Sequence, residues 1–135
     1  EIYIRDLASG QKTQLTHHWA IDTEPAWAPD SRSLYFTSDR GGKPQIYKVP
    51  VTRGNPSRVT MEGEYNARAS ISPDGTRIAM AYGRGNEYRI AVLDTGTGRM
   101  RILTPGVLDE YYTPPARAQG VCFLRFLLME MSGNG

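Results

Sequence analysis

A spacing of 44 residues recurs along the chain without a gap, and it narrows the available folds more than any other feature of the sequence. Ile2, Ile46 and Ile90 stand 44 apart, as do Gly10, Gly54 and Gly98, and Thr16, Thr60 and Thr104. Leu15, Val59 and Leu103 keep apolar character on the same spacing. Pro29-Asp30 returns as Pro73-Asp74, Leu34 as Ile78, Phe36 as Met80 and Gly41 as Gly85. A fixed period of this size marks a chain built from stacked copies of one supersecondary unit.

Each unit reads as short strands joined by turns. Glu24 to Ala28 is a short extended run closed by Pro29-Asp30-Ser31, where Pro suits the first central position of a type I turn and the Asp side chain can accept amides beyond it. Leu34 to Ser38 is rich in strand formers, Gly41-Gly42 turns the chain into Gln45 to Val51, and Gly54-Asn55 turns it again into Ser57 to Thr60. Four strands per repeat is the arithmetic of a β-propeller blade. Helical repeats of similar length need apolar residues at i, i+3, i+4 and i+7, and no window shows them. The expected fold is therefore all-β, an incomplete β-propeller of about two and a half to three four-stranded blades, with units 2–44, 45–88 and 89–110 onward. So few blades cannot close a ring. Sheet faces and edges then stay uncovered, which predicts that the isolated chain associates.

Composition excludes several function classes. Lys and Arg number 16 against 14 Asp and Glu, a net charge of +2 with both signs mixed, so there is no basic stripe for nucleic acid. Cys122 is the single cysteine, which leaves no intramolecular disulfide. The longest apolar run, Val121 to Met131, is interrupted by Arg125 and is too short to cross a bilayer, so no membrane insertion is expected.

Motifs that suggest chemistry do not hold together. Neighbours in an extended segment point to opposite faces, so His17 and His18 cannot easily share an ion, and no third ligand stands at a helpful spacing. Gly83-Arg84-Gly85-Asn86 lacks the Lys-Ser/Thr of a phosphate loop and reads as a hairpin turn. There is no Gly-x-Ser-x-Gly elbow and no distant His for a triad, so no catalytic residue, metal site or enzyme activity is expected. Of Trp19, Trp27, Tyr35 and Tyr47, Trp27 and Tyr35 are expected to pack between blades, whereas Trp19, on a connector, is the better surface candidate.

Polar residues at equivalent places are the better functional lead. Thr16 to Glu24, Thr60 to Arg68 and Thr104 to Tyr112 are equivalent inter-blade connectors, which in a propeller converge on one face around the axis. Asp22, Asn66 and Glu110 share one repeat position and Glu24 and Arg68 another, so the first three are expected in a polar ring. Such a ring could hold a cation in the central channel of a full propeller or accept amides from a partner loop; otherwise its members cap their own connectors.

Three strings carry a family resemblance. Asp22-Thr23-Glu24-Pro25-Ala26-Trp27, Phe36 through Tyr47, and Tyr65-Asn66-Ala67-Arg68-Ala69-Ser70-Ile71-Ser72-Pro73-Asp74-Gly75 together resemble the TolB family of the bacterial Tol-Pal system, over about residues 1–110. The resemblance implies a non-catalytic periplasmic protein with an N-terminal α/β domain and a six-bladed propeller. It implies partners too: the lipoprotein Pal, other Tol proteins, and colicins that exploit the same surface. The implied role is outer-membrane integrity and constriction at cell division. In that family Pal sits over the central mouth, and the matching positions are Asp22, Thr23, Glu24, Tyr65, Asn66, Ala67, Arg68, Asp109 and Glu110. The alternative is a propeller that docks or gates a secreted peptidase or carbohydrate-active enzyme. After Glu110 the pattern fails. Arg117 and Ala118 replace the Pro-Asp pair, and nine of the eleven residues from Val121 to Met131 are apolar. Residues 111–135 are thus expected to be an aberrant tail, from truncation or a change of reading frame near Tyr111, with a divergent strand or short helix as the plainer option.

Overall fold

The computed structural model describes residues 1–104. Asp109, Glu110 and the tail at 111–135 lie outside the described residues.

The described residues form three antiparallel sheets and no helix. A two-stranded sheet pairs β1 (Tyr3–Arg5) with β2 (Lys12–Gln14). The first four-stranded sheet runs β3 (Asp22–Trp27), β4 (Ser33–Ser38), β5 (Gln45–Pro50) and β6 (Ser57–Arg58). The second runs β7 (Tyr65–Ile71), β8 (Arg77–Arg84), β9 (Glu87–Asp94) and β10 (Met100–Ile102). Each sheet is a meander with strands in chain order, the expected form of a blade. Units counted from Ile2 straddle two sheets, because a period has no origin. The sheets themselves begin at Asp22 and Tyr65.

The repeated residues close the same hairpin three times. Thr16, Thr60 and Thr104 each accept the amide of Ile2, Ile46 and Ile90 through Oγ1, at 2.8, 3.0 and 2.9 Å. Beside them the amides of Leu15, Val59 and Leu103 each donate to the carbonyl of the same isoleucine at 2.8 Å. The repeated Gly10 and Gly98 take φ of 73° at the end of Asp-led turns, where a side chain would be strained. The Gly85-Asn86 pair is the hairpin turn between β8 and β9, with Arg84 opposite Glu87.

Packing follows the alternation of each strand. Ile78, Met80, Tyr82, Ala91 and Leu93 of the second blade meet Ala28, Tyr35 and Ile46 of the first. Leu34, Phe36, Tyr47 and Val49 on the opposite face of the first blade meet Ile2 and Leu15. Each of the Ile, Leu, Val, Phe and Met side chains among them contributes about 1.5–3 kcal/mol by leaving water. Tyr35 packs between sheets as expected, and Tyr47 does so on the other face, but Trp27 does not: it is 53% exposed. It lies opposite Leu34 on the face toward β1 and β2, whose two short strands cover only the outer part of that face.

Candidate functional site

The inner strands β3 and β7 each carry a bulge, with register shifts between Thr23 and Ala26 and between Ala67 and Ser70. The bulged residues are Glu24 (φ 55°) and Arg68 (φ 59°), and only Ser31 joins them as a non-glycine with positive φ among the described residues. A left-handed conformation costs an ordinary L-residue about 1–2 kcal/mol, so the sheets on either side must hold it in place. Glu24 and Arg68 share one repeat position, and the two blades bring them together. Arg68 Nε lies 3.0 Å from Glu24 Oε1, and the Arg68 amide donates to Glu24 Oε2 at 3.2 Å and to Thr37 Oγ1 at 3.1 Å. Thr37 Oγ1 in turn donates to Glu24 Oε2 at 2.9 Å. The side chains of Glu24 and Arg68 are 31% and 55% exposed, so water screens the pair and both ends stay open to a partner.

Thr23 and Tyr65 flank this network. Thr23 is exposed and stands opposite Thr37 in register. Tyr65 is half-buried, with its ring edge-on to Tyr88 at 5.4 Å. Burial pushes its phenol up, the Glu24 charge adds to that, and Arg68 opposes it. A side chain at Gly83 would come within 2.9 Å of Tyr65 Cβ and 3.1 Å of the Tyr88 ring, so glycine lets the two rings meet there. Ala67 is fully buried and serves packing.

Asp22 and Asn66 are both buried, and Glu110, the third member of the expected polar ring, lies outside the described residues. Arg40 Nη2 donates to both Asp22 oxygens, at 2.8 and 3.0 Å. Burial alone would raise the Asp22 carboxyl, but hydrogen bonds from Ser38, Arg40 and Thr16, with the Arg40 charge, hold it below its ordinary value. Asn66 donates through Nδ2 to Gln45 Oε1 at 2.8 Å and to the Glu62 carbonyl at 2.7 Å, and its amide donates to the Pro44 carbonyl at 2.9 Å. Gln45 Oε1 also accepts Thr60 Oγ1 at 2.6 Å. These contacts tie each connector to its blade, and short polar side chains at a tight chain reversal are suited to that task. They leave Glu24, Arg68, Thr23 and Tyr65 as the displayed members of the candidate site.

Residues 1–124 match the family described as the TolB beta propeller domain. The chain belongs to the TolB β-propeller family. Relatives support that membership at close range. The Tol-Pal system protein TolB of Xanthomonas campestris pv. campestris (strain B100) is 58% identical over 65 residues, 47% of this chain and 15% of the relative. The crystal structure of TolB from Acinetobacter baumannii superposes with a TM-score of 0.72 at 43% identity, covering 78% of this chain and 27% of that one. The chain thus spans a small part of the TolB proteins it matches. The tricorn protease superposes with a TM-score of 0.60 at 18% identity, a likeness of fold alone.

In this TolB-family chain, the arrangement suits recognition better than bond chemistry. No group of three or more His, Cys, Asp or Glu that could hold a metal occurs among the described residues. His18 Nδ1 accepts the Ala20 amide at 3.1 Å and its ring stacks on Trp19 at 5.2 Å, so His18 organises a connector. Trp19 is 89% exposed, in keeping with its reading as a surface residue. Among the described residues no helix is long and apolar enough to cross a membrane. Sequence reasoning missed Thr37 and Arg40. The register pairs Asp22 with Ser38 and Thr23 with Thr37 only because the bulge between Thr23 and Ala26 shifts it by one, so a regular hairpin drawn around Pro29-Asp30 misses both pairings.

Proposed function

We propose that this chain acts by protein contact, without catalysis or a cofactor, as part of a periplasmic TolB in the Tol-Pal system. The partner is the lipoprotein Pal, and the contact supports outer-membrane integrity and cell division. The observation that carries this reading is the pair of left-handed, non-glycine bulge residues at one repeat position, Glu24 and Arg68, cross-linked between blades yet open to solvent. Strained, displayed, mutually paired charges on rigid inner strands form a preorganised polar contact for a partner's amides and charges. Thr23 and Tyr65 extend the contact with a hydroxyl and an amphipathic ring. Family membership supports Pal, other Tol proteins and colicins as the partners to try. The test is a calorimetric titration of soluble Pal into the TolB protein that carries this segment, with wild type, Thr23→Ala and Glu24→Gln compared. Loss of a partnered charge-assisted contact predicts binding weaker by about tenfold or more for Glu24→Gln. Wild-type binding indifferent to both changes would remove the site assignment.

A further inference from the structure

Away from the bulge pair, a cavity of about 220 Å³ opens at the outer corner of the second blade, lined by Tyr82, Arg84, Glu87, Arg89 and Ile102. Its charges do not balance. Arg89 Nη2 is held by Glu87 Oε2 at 2.5 Å, while Arg84 has no carboxylate partner among the described residues. Two guanidinium groups therefore face one carboxylate around the cavity.

The first blade shows what a guanidinium at this repeat position takes. Arg40 is the counterpart of Arg84. It donates through Nη2 to both oxygens of Asp22 and through Nε to Ser38 Oγ at 3.0 Å, and lies over the rings of Phe36 and Tyr47 at 5.3 and 5.1 Å. The second blade has replaced every one of those anchors. Asn66 stands where the first blade has Asp22, Tyr82 where it has Ser38, and Met80 and Ala91 where it has Phe36 and Tyr47. Asn66 is neutral, and its donors are directed to Gln45 and Glu62. The arginine was kept at this position while its internal acid was not.

We infer that this cavity binds a carboxylate supplied from outside the two blades, an acidic side chain on a peptide segment. A planar carboxylate matches the guanidinium fork, and in the first blade both oxygens of Asp22 already accept from Arg40 Nη2. Tyr82 and the half-exposed Ile102 provide apolar walls for the methylene stem of a Glu or Asp side chain. Glu87 at the rim opposes a dianion more strongly than a monoanion, which favours carboxylate over phosphate. The site shares no residue with the Glu24–Arg68 pair, so it stands or falls separately from the function proposed above.

The test titrates pentaglutamate, and separately inorganic phosphate, into the full chain while the Nε–H resonances of the arginines are followed by NMR. Pentaglutamate is expected to shift Arg84 and Arg89, and Arg84→Gln to weaken its binding by about tenfold. Arg101→Gln, an exposed arginine that does not line the cavity, is expected to leave the affinity unchanged. Glu87→Gln removes the competing carboxylate and is expected to tighten binding, a change of opposite sign that a merely damaged fold does not produce. The inference is overturned if Arg84→Gln leaves the affinity unchanged, if Arg101→Gln weakens it equally, if Glu87→Gln weakens it, or if phosphate displaces the peptide at equal concentration.

Discussion

Strands β3 and β7 occupy the same repeat position, carry the same bulge and lead into equivalent Pro-Asp turns, yet their surroundings differ. Strand β7 packs against β3, β4 and β5, so Ala67 and Ala69 are buried and Ile71 packs on the core between the blades. On β3 the equivalent residues Thr23, Pro25 and Trp27 are all exposed, because β1 and β2 cover only the part of the face around Leu34, Phe36, Tyr47 and Val49. Local sequence and hairpin register therefore set backbone conformation, down to a left-handed residue at the bulge, while neighbouring blades set burial. The same division holds for the buried polar pair. Asp22 is neutralised within its own blade by Arg40, whereas Asn66 is held through Nδ2 by Gln45 and Glu62 from the preceding blade and connector, with its buried Oδ1 left without a partner among the described residues.

The largest expected effect comes from breaking those two buried anchors. Asp22→Ala leaves the Arg40 guanidinium, 14% exposed, without its carboxylate. Stranding a buried charge should cost about 3 kcal/mol or more. Asn66→Ala removes a neutral hydrogen-bonding group and should cost about 2 kcal/mol. Urea melts of the two variants give the ranking, and a smaller loss for Asp22→Ala would break the contrast between charged and neutral anchoring.

Burial is tested by truncating the apolar residue at the end of each inner strand. Ile71→Ala opens space beside the inter-blade core and should cost about 2 kcal/mol. Trp27→Ala removes a larger side chain from an uncovered place and should change stability by no more than about 0.5 kcal/mol. Equal losses in the same melts would mean that β3 is as well covered as β7.

The smallest effect concerns the two Pro-Asp turns. Hydrogen bonds from the Ser72 hydroxyl, the Thr76 amide and the Thr76 hydroxyl, in that order, lower the Asp74 carboxyl from 3.8 to about 2. A lowered folded-state value means that the ionised turn stabilises the fold above the unfolded value of 3.8, and that this contribution is lost as pH falls toward 2. Asp74→Asn should therefore flatten the acid side of the stability profile across that window, read as urea midpoints at successive pH values. An unchanged slope would show that the turn carries none of the acid dependence.

The fold was largely legible because the residues that repeat are those that close hairpins. Thr16, Thr60 and Thr104 bond the same amide in each unit, so their spacing reports a physical contact. The fate of Asp22 and Asn66 was not legible. A polar residue on a connector reads the same whether it faces solvent or turns inward, and the difference rests on Arg40 and Gln45, brought near by strand pairing. Trp27 was misread for a related reason: strand position gives the face of a residue but not what covers it. The pairing of Glu24 with Arg68 follows from their shared repeat position. The left-handed backbone at both does not follow from residue type, since neither is glycine or asparagine.

The central claim is that the bulge pair is a recognition contact as well as a link between blades. Exchanging its charges separates the two roles. Glu24→Arg combined with Arg68→Glu keeps opposite charges facing across the same gap but gives up the bonds that Glu24 accepts from Thr37 and from the amide at 68, so stability should fall by no more than about 1–2 kcal/mol, the exposed pair itself being worth under about 1 kcal/mol. Titration of soluble Pal into the TolB protein carrying the exchanged pair should nevertheless show binding weakened by about tenfold or more, because each charge now faces the wrong partner group. Pal binding at wild-type affinity in the exchanged protein would contradict the account.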